Sequence, residues 1–308
     1  MVRKATTKRA SAKAAAKPAR AKATKKPARA KAANKPTRAK ATASSGYRSI
    51  EIQRRQGALE ITFNRPEVLN ALNEQMATEI IDAMSAVEMD RRVLAVILQG
   101  NERAFCAGAD LSGFSDRPQD KFDNYRARFR VRQQRQVFSF VGSYTKPVIS
   151  AVEGFCLGGG FELAMFGDLI VAGEAAQFGL PEARHSLIPG AGGTQNLPRL
   201  IGAPLAKELM WTARRITAEE AWGLRIVNHV VEKGSALNKA REIVADMSAN
   251  GPLAVMMIKQ AVDRGLDMTL SQGFLQEADL SYMLGWSEDR AAGLDAFAKR
   301  TRAKFKGQ

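Results

Sequence analysis

A break in composition at Gly46 constrains this chain more than any other feature. It separates residues that cannot build a core from residues that can. From Met1 to Ser45 there are 15 Lys and Arg and no Asp or Glu, so this segment carries +15 of the formal net charge of +16. The segment Lys17-Pro18-Ala19-Arg20-Ala21-Lys22-Ala23 recurs at Lys26 and, with Thr37 in place of Ala, at Lys35, a period of nine residues. Small and basic side chains with a proline in every repeat predict a disordered tail extended by self-repulsion. Its chemistry suits a polyanion, because Lys and Arg neutralise phosphates and release counterions. No aromatic residue precedes Tyr47, so stacking on bases, and with it sequence-specific nucleic-acid readout, is not expected. A solubilising tail and an organelle transit peptide are the competing readings. The Lys-rich, Pro-punctuated repeat without an amphipathic face argues against transit.

The body, residues 46–308, is long enough for a substantial core and is close to electrically neutral. Two cysteines, Cys106 and Cys156, exclude a disulfide framework and a four-thiolate zinc site, and they read as small buried residues. Two histidines, His185 and His229, argue against a His-rich metal centre. The longest dense apolar run, Leu253–Ile258, falls far short of the ~18–20 residues of a membrane helix. A protein of the reduced cytoplasm is expected, or of the mitochondrial matrix if the tail is a transit peptide.

Periodicity orders the body. Tyr47–Gln53 and Gly57–Asn64 alternate as paired strands, and Asn73 is placed to cap a helix with Met76, Ile80, Met84 and Val87 on one face. Val93–Leu98 and Pro147–Val152 are apolar runs of buried strands, with a helix predicted over Lys121–Val141 between them. Gly158-Gly159-Gly160 opens a short helix, and Asp168–Ala172 is the next strand. From Ala203 the pattern is mostly helical. The expected organisation is therefore a tail (1–45), an α/β core (46–202) and a C-terminal helical region (203–308) that caps the core or mediates oligomerisation.

Chemistry concentrates in three small-residue segments. Ala104–Leu111 follows a buried strand; Ile149–Ala164 runs from a strand through three glycines into a helix; Phe178–Glu182 and Leu187–Thr194 form the third. A helix start leaves N–H groups unpaired, and glycine lets a ligand approach the backbone. Two such N–H groups, one from each of the first two segments, would make an oxyanion hole. Tight strand–helix packing is the plain alternative for the glycines alone. Glu162 and Glu182 change the balance, since both lie among apolar residues where an ionised carboxylate is costly unless used. Two carboxyls sharing a dry pocket can act as an acid and a base. The arginines at 126, 128, 130, 132 and 135 read as a solvated helix face. His185 either lines the pocket or is structural.

With these residues in place, the stretch from about Tyr47 to Gln308 resembles the crotonase (enoyl-CoA hydratase/isomerase) superfamily. The resemblance is carried by Arg65-Pro66 through Asn70-Ala71-Leu72, by Phe105-Cys106-Ala107-Gly108-Ala109-Asp110-Leu111 and by Leu157-Gly158-Gly159-Gly160-Phe161-Glu162-Leu163-Ala164. Phe178-Gly179-Leu180-Pro181-Glu182, Ile188–Gln195 and Ala296-Phe297 with Lys299-Arg300 complete it. It implies an α/β fold of repeated ββα units in a spiral, with C-terminal helices that pack trimers and pairs of trimers. It implies an acyl-CoA thioester as substrate and no metal or redox cofactor. The N–H groups of Ala109 and Gly159 would hold the thioester oxygen, Glu162 would activate water and Glu182 would deliver a proton. Val68, Leu69, Ala107 and Asp110 would lie along CoA, and Phe297 and Arg300 would contact it across a subunit boundary. The implied reaction is hydration of a 2-enoyl-CoA. An isomerase or dehydratase of the same family is the near alternative, and a nucleic-acid-associated oligomeric scaffold the distant one.

Overall fold

The computed structural model describes residues 46–110, 112 and 135–308. The tail, the first part of the predicted helix over Lys121–Val141 and the arginines at 126, 128, 130 and 132 lie outside the described residues.

Strand β1 (Ile50–Arg55) pairs antiparallel with β2 (Ala58–Phe63), and the tight turn between them contains Gly57 at φ +82°. Helix α1 (Glu74–Ser85) follows, with Asn73 Oδ1 accepting the Met76 N–H at 2.9 Å as the spacing predicts. Its stripe of Met76, Ile80 and Met84, continued by Val87, is fully buried. From here the chain repeats one idea. A strand enters a large sheet, the next strand enters a small sheet, and a helix or turn follows. The first pair is β3 (Ala95–Gln99) and β4 (Ala104–Cys106), before α2 (Gln136–Gly142). The second is β5 (Val148–Val152) and β6 (Phe155–Leu157), running into α3 (Gly159–Phe166). The third is β7 (Leu169–Gly173) and β8 (Gln177–Gly179).

The remaining elements are α4 (Gly193–Ile201), α5 (Ala203–Thr212), β9 (Ile216–Thr217), α6 (Ala218–Gly223) and β10 (His229–Val231). Four helices end the chain: α7 (Ala236–Met247), α8 (Pro252–Gly265), α9 (Leu270–Leu284) and α10 (Glu288–Lys299). The large sheet runs β1-β2-β3-β5-β7-β10 and is parallel from β2 onward; the small one runs β4-β6-β8-β9. Strands β9 and β10 lie beyond Ala203, so the C-terminal part contributes to both sheets as well as adding helices. Among the described residues no helix is long and apolar enough to cross a membrane.

The large sheet is covered on both faces, which is why β3 and β5 read as unbroken apolar runs. One face belongs to the main core, where Phe63 packs edge-on against Phe105 and Phe161 against Phe178. The other face carries Ala95, Ile97, Ile149, Ala151 and Val171 against Ala236, Ala240 and Val244 of α7. Two carboxylates, the buried Glu60 and the more exposed Asp168, are tied down. Arg241 reaches Glu60 with two hydrogen bonds of 2.7 and 2.8 Å, and Asp168 accepts the Val148 N–H and an ion pair from Lys259 of α8. Cys106 and Cys156 face each other on adjacent strands as free, buried thiols, and burial pushes the Cys106 thiol up to about 11.

Candidate active site

The small sheet places the site. Its three parallel strands β4, β6 and β8 end side by side, and each C-terminal end delivers one of the segments singled out above. Beyond β4 comes Ala107–Asp110, beyond β6 the turn into α3, and beyond β8 Leu180–Glu182. Ligands in α/β folds gather at such strand ends, because the chain turns there and leaves backbone groups unpaired.

The first two segments meet closely. Ala107 donates to Leu69 O, Leu72 to Gly108 O and Asp110 to Leu72 O, which pins the loop while skipping Ala109. Among the described residues no acceptor takes the N–H of Ala109 or Gly159. A Cβ built on Gly159 would lie 3.5 Å from Ala109 N, so the two free amides are neighbours. The glycines of the turn are not interchangeable. Gly158 sits at φ +50°, and a Cβ there would come within 3.0 Å of Glu182 Oε1. A Cβ on Gly160 would lie 2.2 Å from Cys106 O, which only a glycine avoids. Close helix–strand packing and the exposed amides thus have one cause.

The carboxyls come from α3 and from a 3-10 turn at Glu182–His185. Glu162 is 2% exposed, and its Oε1 accepts the N–H groups of Ala191 and Gly193, each at 2.8 Å. Burial raises its pKa, while those two hydrogen bonds and the charge of Arg135 pull it back. Glu182 is half-buried, and its Oε2 finds no partner among the described residues. Burial and then the neighbouring Glu162 charge push its pKa up to about 7 against the pull of a backbone hydrogen bond. Both carboxyls are raised by burial, and only Glu162 has backbone donors that offset part of the rise.

Both acids line a cavity of about 410 Å³, together with Ala107, Ala109, Gly159, Leu72 and Phe138. Arg135, His185, Leu187 and Ile188 line it too. Arg135, just before α2, is exposed as the solvated-face reading expects, and its side chain also borders the cavity. His185 is also a lining residue, carried there by the turn that holds Glu182. The other candidates lie around the cavity. Leu69, at φ +52°, ends a 3-10 turn at Pro66–Val68 beside Ala107, with Val68 38% exposed. Asp110 accepts a 2.8 Å ion pair from Arg65 and hydrogen bonds from Ser112, which hold its carboxyl below the usual range. Arg65 also donates to Ala71 O, so it clamps the loop beside Ala109. Phe297 and Arg300, on and after α10, are exposed and do not line the cavity of their own chain.

Two free amides beside a pair of acids suit an enzyme that polarises a carbonyl and moves protons on the carbons next to it. Comparison with known proteins narrows that class. The enoyl-CoA hydratase/isomerase family model matches residues 53–308. A short-chain-enoyl-CoA hydratase of Clostridium acetobutylicum is 38% identical over 79% of this chain and 91% of its own length. A crotonyl-CoA hydratase of Syntrophomonas wolfei is 36% identical over 84% of this chain and 98% of its own. The crystal structure of an enoyl-CoA hydratase from Bacillus anthracis superposes with a TM-score of 0.80 at 35% identity, covering 85% of this chain and 100% of that one. The chain belongs to the enoyl-CoA hydratase/isomerase family of enzymes, and its fold is the crotonase spiral.

Proposed function

We propose that this enzyme is an enoyl-CoA hydratase, adding water reversibly and on one face across the 2,3-double bond of an enoyl-CoA thioester. The observation that carries the reading is the unequal pair Glu162 and Glu182 beside the free amides of Ala109 and Gly159. With the thioester oxygen on those amides, negative charge pushed toward it by attack at C3 is stabilised where it develops, worth about 3–4 kcal/mol per donor. Ionised Glu162 takes a proton from water as its oxygen bonds to C3. Protonated Glu182 gives its proton to C2 as the enolate collapses. Each turnover leaves Glu162 protonated and Glu182 ionised, and proton exchange between them or with water restores the start. Oxidation state does not change, so no redox cofactor is required, and the two amides take the carbonyl-polarising role that a metal could otherwise fill. Double-bond isomerisation can proceed with one such carboxyl, so the retention of two favours hydration.

Family relatives named hydratases and the amide–carboxylate geometry support the same substrate class, an acyl-CoA. The exposed apolar side chains of α8–α10, among them Leu266, Phe274, Trp286 and Phe297, support self-association as a trimer or a pair of trimers, with Phe297 and Arg300 reaching CoA in a neighbouring subunit. For residues 1–45 the composition supports a polyanion-binding arm. A protein beginning at Gly46 should lose salt-sensitive DNA binding, and equal binding by both forms would remove the arm from consideration.

The direct test follows loss of the conjugated enoyl thioester absorbance on crotonyl-CoA. Glu162→Gln and Glu182→Gln should each lower kcat by about 10²–10⁴ with circular dichroism unchanged. Wild-type rates in both variants would sink the mechanism.

A further inference from the structure

The cavity holds a cation that hydration does not use. With the thioester oxygen at Ala109 and Gly159 and the reacting carbons at the two glutamates, Arg135, Phe138, His185, Leu187 and Ile188 are left to surround the rest of the acyl chain. Arg135 reaches well into this wall, since a Cβ on Gly190 would lie 2.8 Å from its Nη2. Glu162 does not claim it. Oε1 already takes two backbone N–H groups, and among the described residues no hydrogen bond or ion pair joins Glu162 to Arg135.

Arg135, His185, Leu187 and Ile188 are exposed at the cavity's open side. An apolar acyl chain packed against them would strip water from the guanidinium and return nothing for it. A chain ending in a carboxylate would return a bidentate pair of charge-assisted hydrogen bonds, in the geometry a guanidinium offers and an ammonium does not. His185 supplies a further donor on the same wall. Phe138, Leu187 and Ile188 accommodate the methylenes between.

We propose that Arg135 makes this enzyme select 2-enoyl-CoA thioesters whose acyl chain ends in a carboxylate. The proposal rests on the hydratase reading only for the direction in which the acyl chain lies. Recognition of a buried polar terminus discriminates more sharply than apolar fit, because the analogue lacking it leaves the donor unpaired.

The test separates binding from chemistry. Wild type, Arg135→Leu and Arg135→Lys are compared for binding of unreactive saturated pairs of five, six and eight carbons, each pair one acyl-CoA with a methyl end and one with a carboxylate end. Hydration of the matching 2-enoyl thioesters, and of crotonyl-CoA, is followed in parallel over a pH series. Wild type should bind at least one carboxylate-ended partner about tenfold or more tighter than its methyl-ended twin. Arg135→Leu should erase or invert that ratio, and Arg135→Lys should keep part of it. Equal binding within every pair by wild type, or a ratio unchanged in Arg135→Leu, overturns the proposal. A variant that shifts the pH profile alike for both chain types without changing the ratio also overturns it, leaving Arg135 acting only through its field on Glu162. If binding prefers the carboxylate and no enoyl thioester is hydrated, the hydratase reading fails and this one stands. If crotonyl-CoA is hydrated without any preference in binding, the reverse holds.

Discussion

Glu162 and Glu182 are the same residue type on two segments of one cavity wall, yet the fold treats them differently. The α3 segment buries Glu162 almost completely and then supplies two amide donors to one oxygen. The segment after β8 leaves Glu182 half-exposed, with one oxygen unpaired among the described residues. Donors to a carboxylate stabilise its ionised form, and a bare carboxyl in a dry place keeps its proton. The difference teaches that, on the proposed mechanism, backbone geometry at two strand ends would set the acid and base roles, since residue chemistry alone cannot distinguish them. It also explains why the pair is useful: two equal carboxyls would compete for one proton without a preferred direction.

The comparison breaks most completely if the acids do not act as a unit. Each single Gln variant should cost about 10²–10⁴ in kcat, and the double variant should be little worse than the more damaged single, because a step lacking one partner no longer uses the other. Multiplying losses in the double variant would mean two independent roles. The next effect concerns the backbone that aims the pair. Gly160→Ala must move α3 away from Cys106 O and should cost about 1–3 kcal/mol in chemical denaturation along with most of the activity. Gly159→Ala meets only an ordinary 3.5 Å contact at Ala109 N, so it should leave denaturation nearly unchanged while reducing kcat. Equal destabilisation by both would show that the glycine run is packing and nothing else.

These residues also mark how far the sequence alone reaches. The apolar runs of β3 and β5, the capped helix after Asn73 and the long C-terminal helices follow from periodicity, because each buries a continuous face or stripe. Strands β4, β6 and β8 do not, since three residues are too few to carry a period, and yet these strands position every group of the site. Glu162 and Glu182 were legible because a carboxyl among apolar neighbours is costly. Their inequality was not, because it depends on Ala191 and Gly193 folding back across the cavity. Arg135 was hidden among other arginines nearby, because sequence spacing does not show that its side chain borders the cavity. Asp110 marks another limit: its motif singled it out, but not that its carboxyl would pair with Arg65 and Ser112.

That ion pair supplies a smaller test of how the amide side of the cavity is held. Asp110→Asn should weaken the clamp on Arg65 by about 1–2 kcal/mol, raise KM for the thioester and leave the pH profile where it was. A displaced profile would mean that Asp110 belongs with the acids.

The smallest expected effect separates the two glutamates by stability. Glu182 has its pKa raised from 4.5 to about 7 by the fold. The folded state therefore binds this proton more tightly than the unfolded chain does. That contribution is fully present below pH 4.5 and is lost as pH rises through about 7. On the proposed mechanism the same group must be protonated to donate at C2, so the rate of hydration should fall on the alkaline side of a limb near 7. Glu182→Gln removes the ionisation, and should raise Tm at pH 8.5 relative to wild type while changing little at pH 5. Glu182 is only partly buried as a residue, so solvent reaching the open cavity screens the charge, which holds the gain to about 2 °C. Burial raises the Glu162 pKa as well, but its two amide donors offset part of that, so Glu162→Gln should gain less at alkaline pH than Glu182→Gln does. If both variants gain equally, the two carboxyls share one environment, and the assignment of base to Glu162 and acid to Glu182 loses its physical basis.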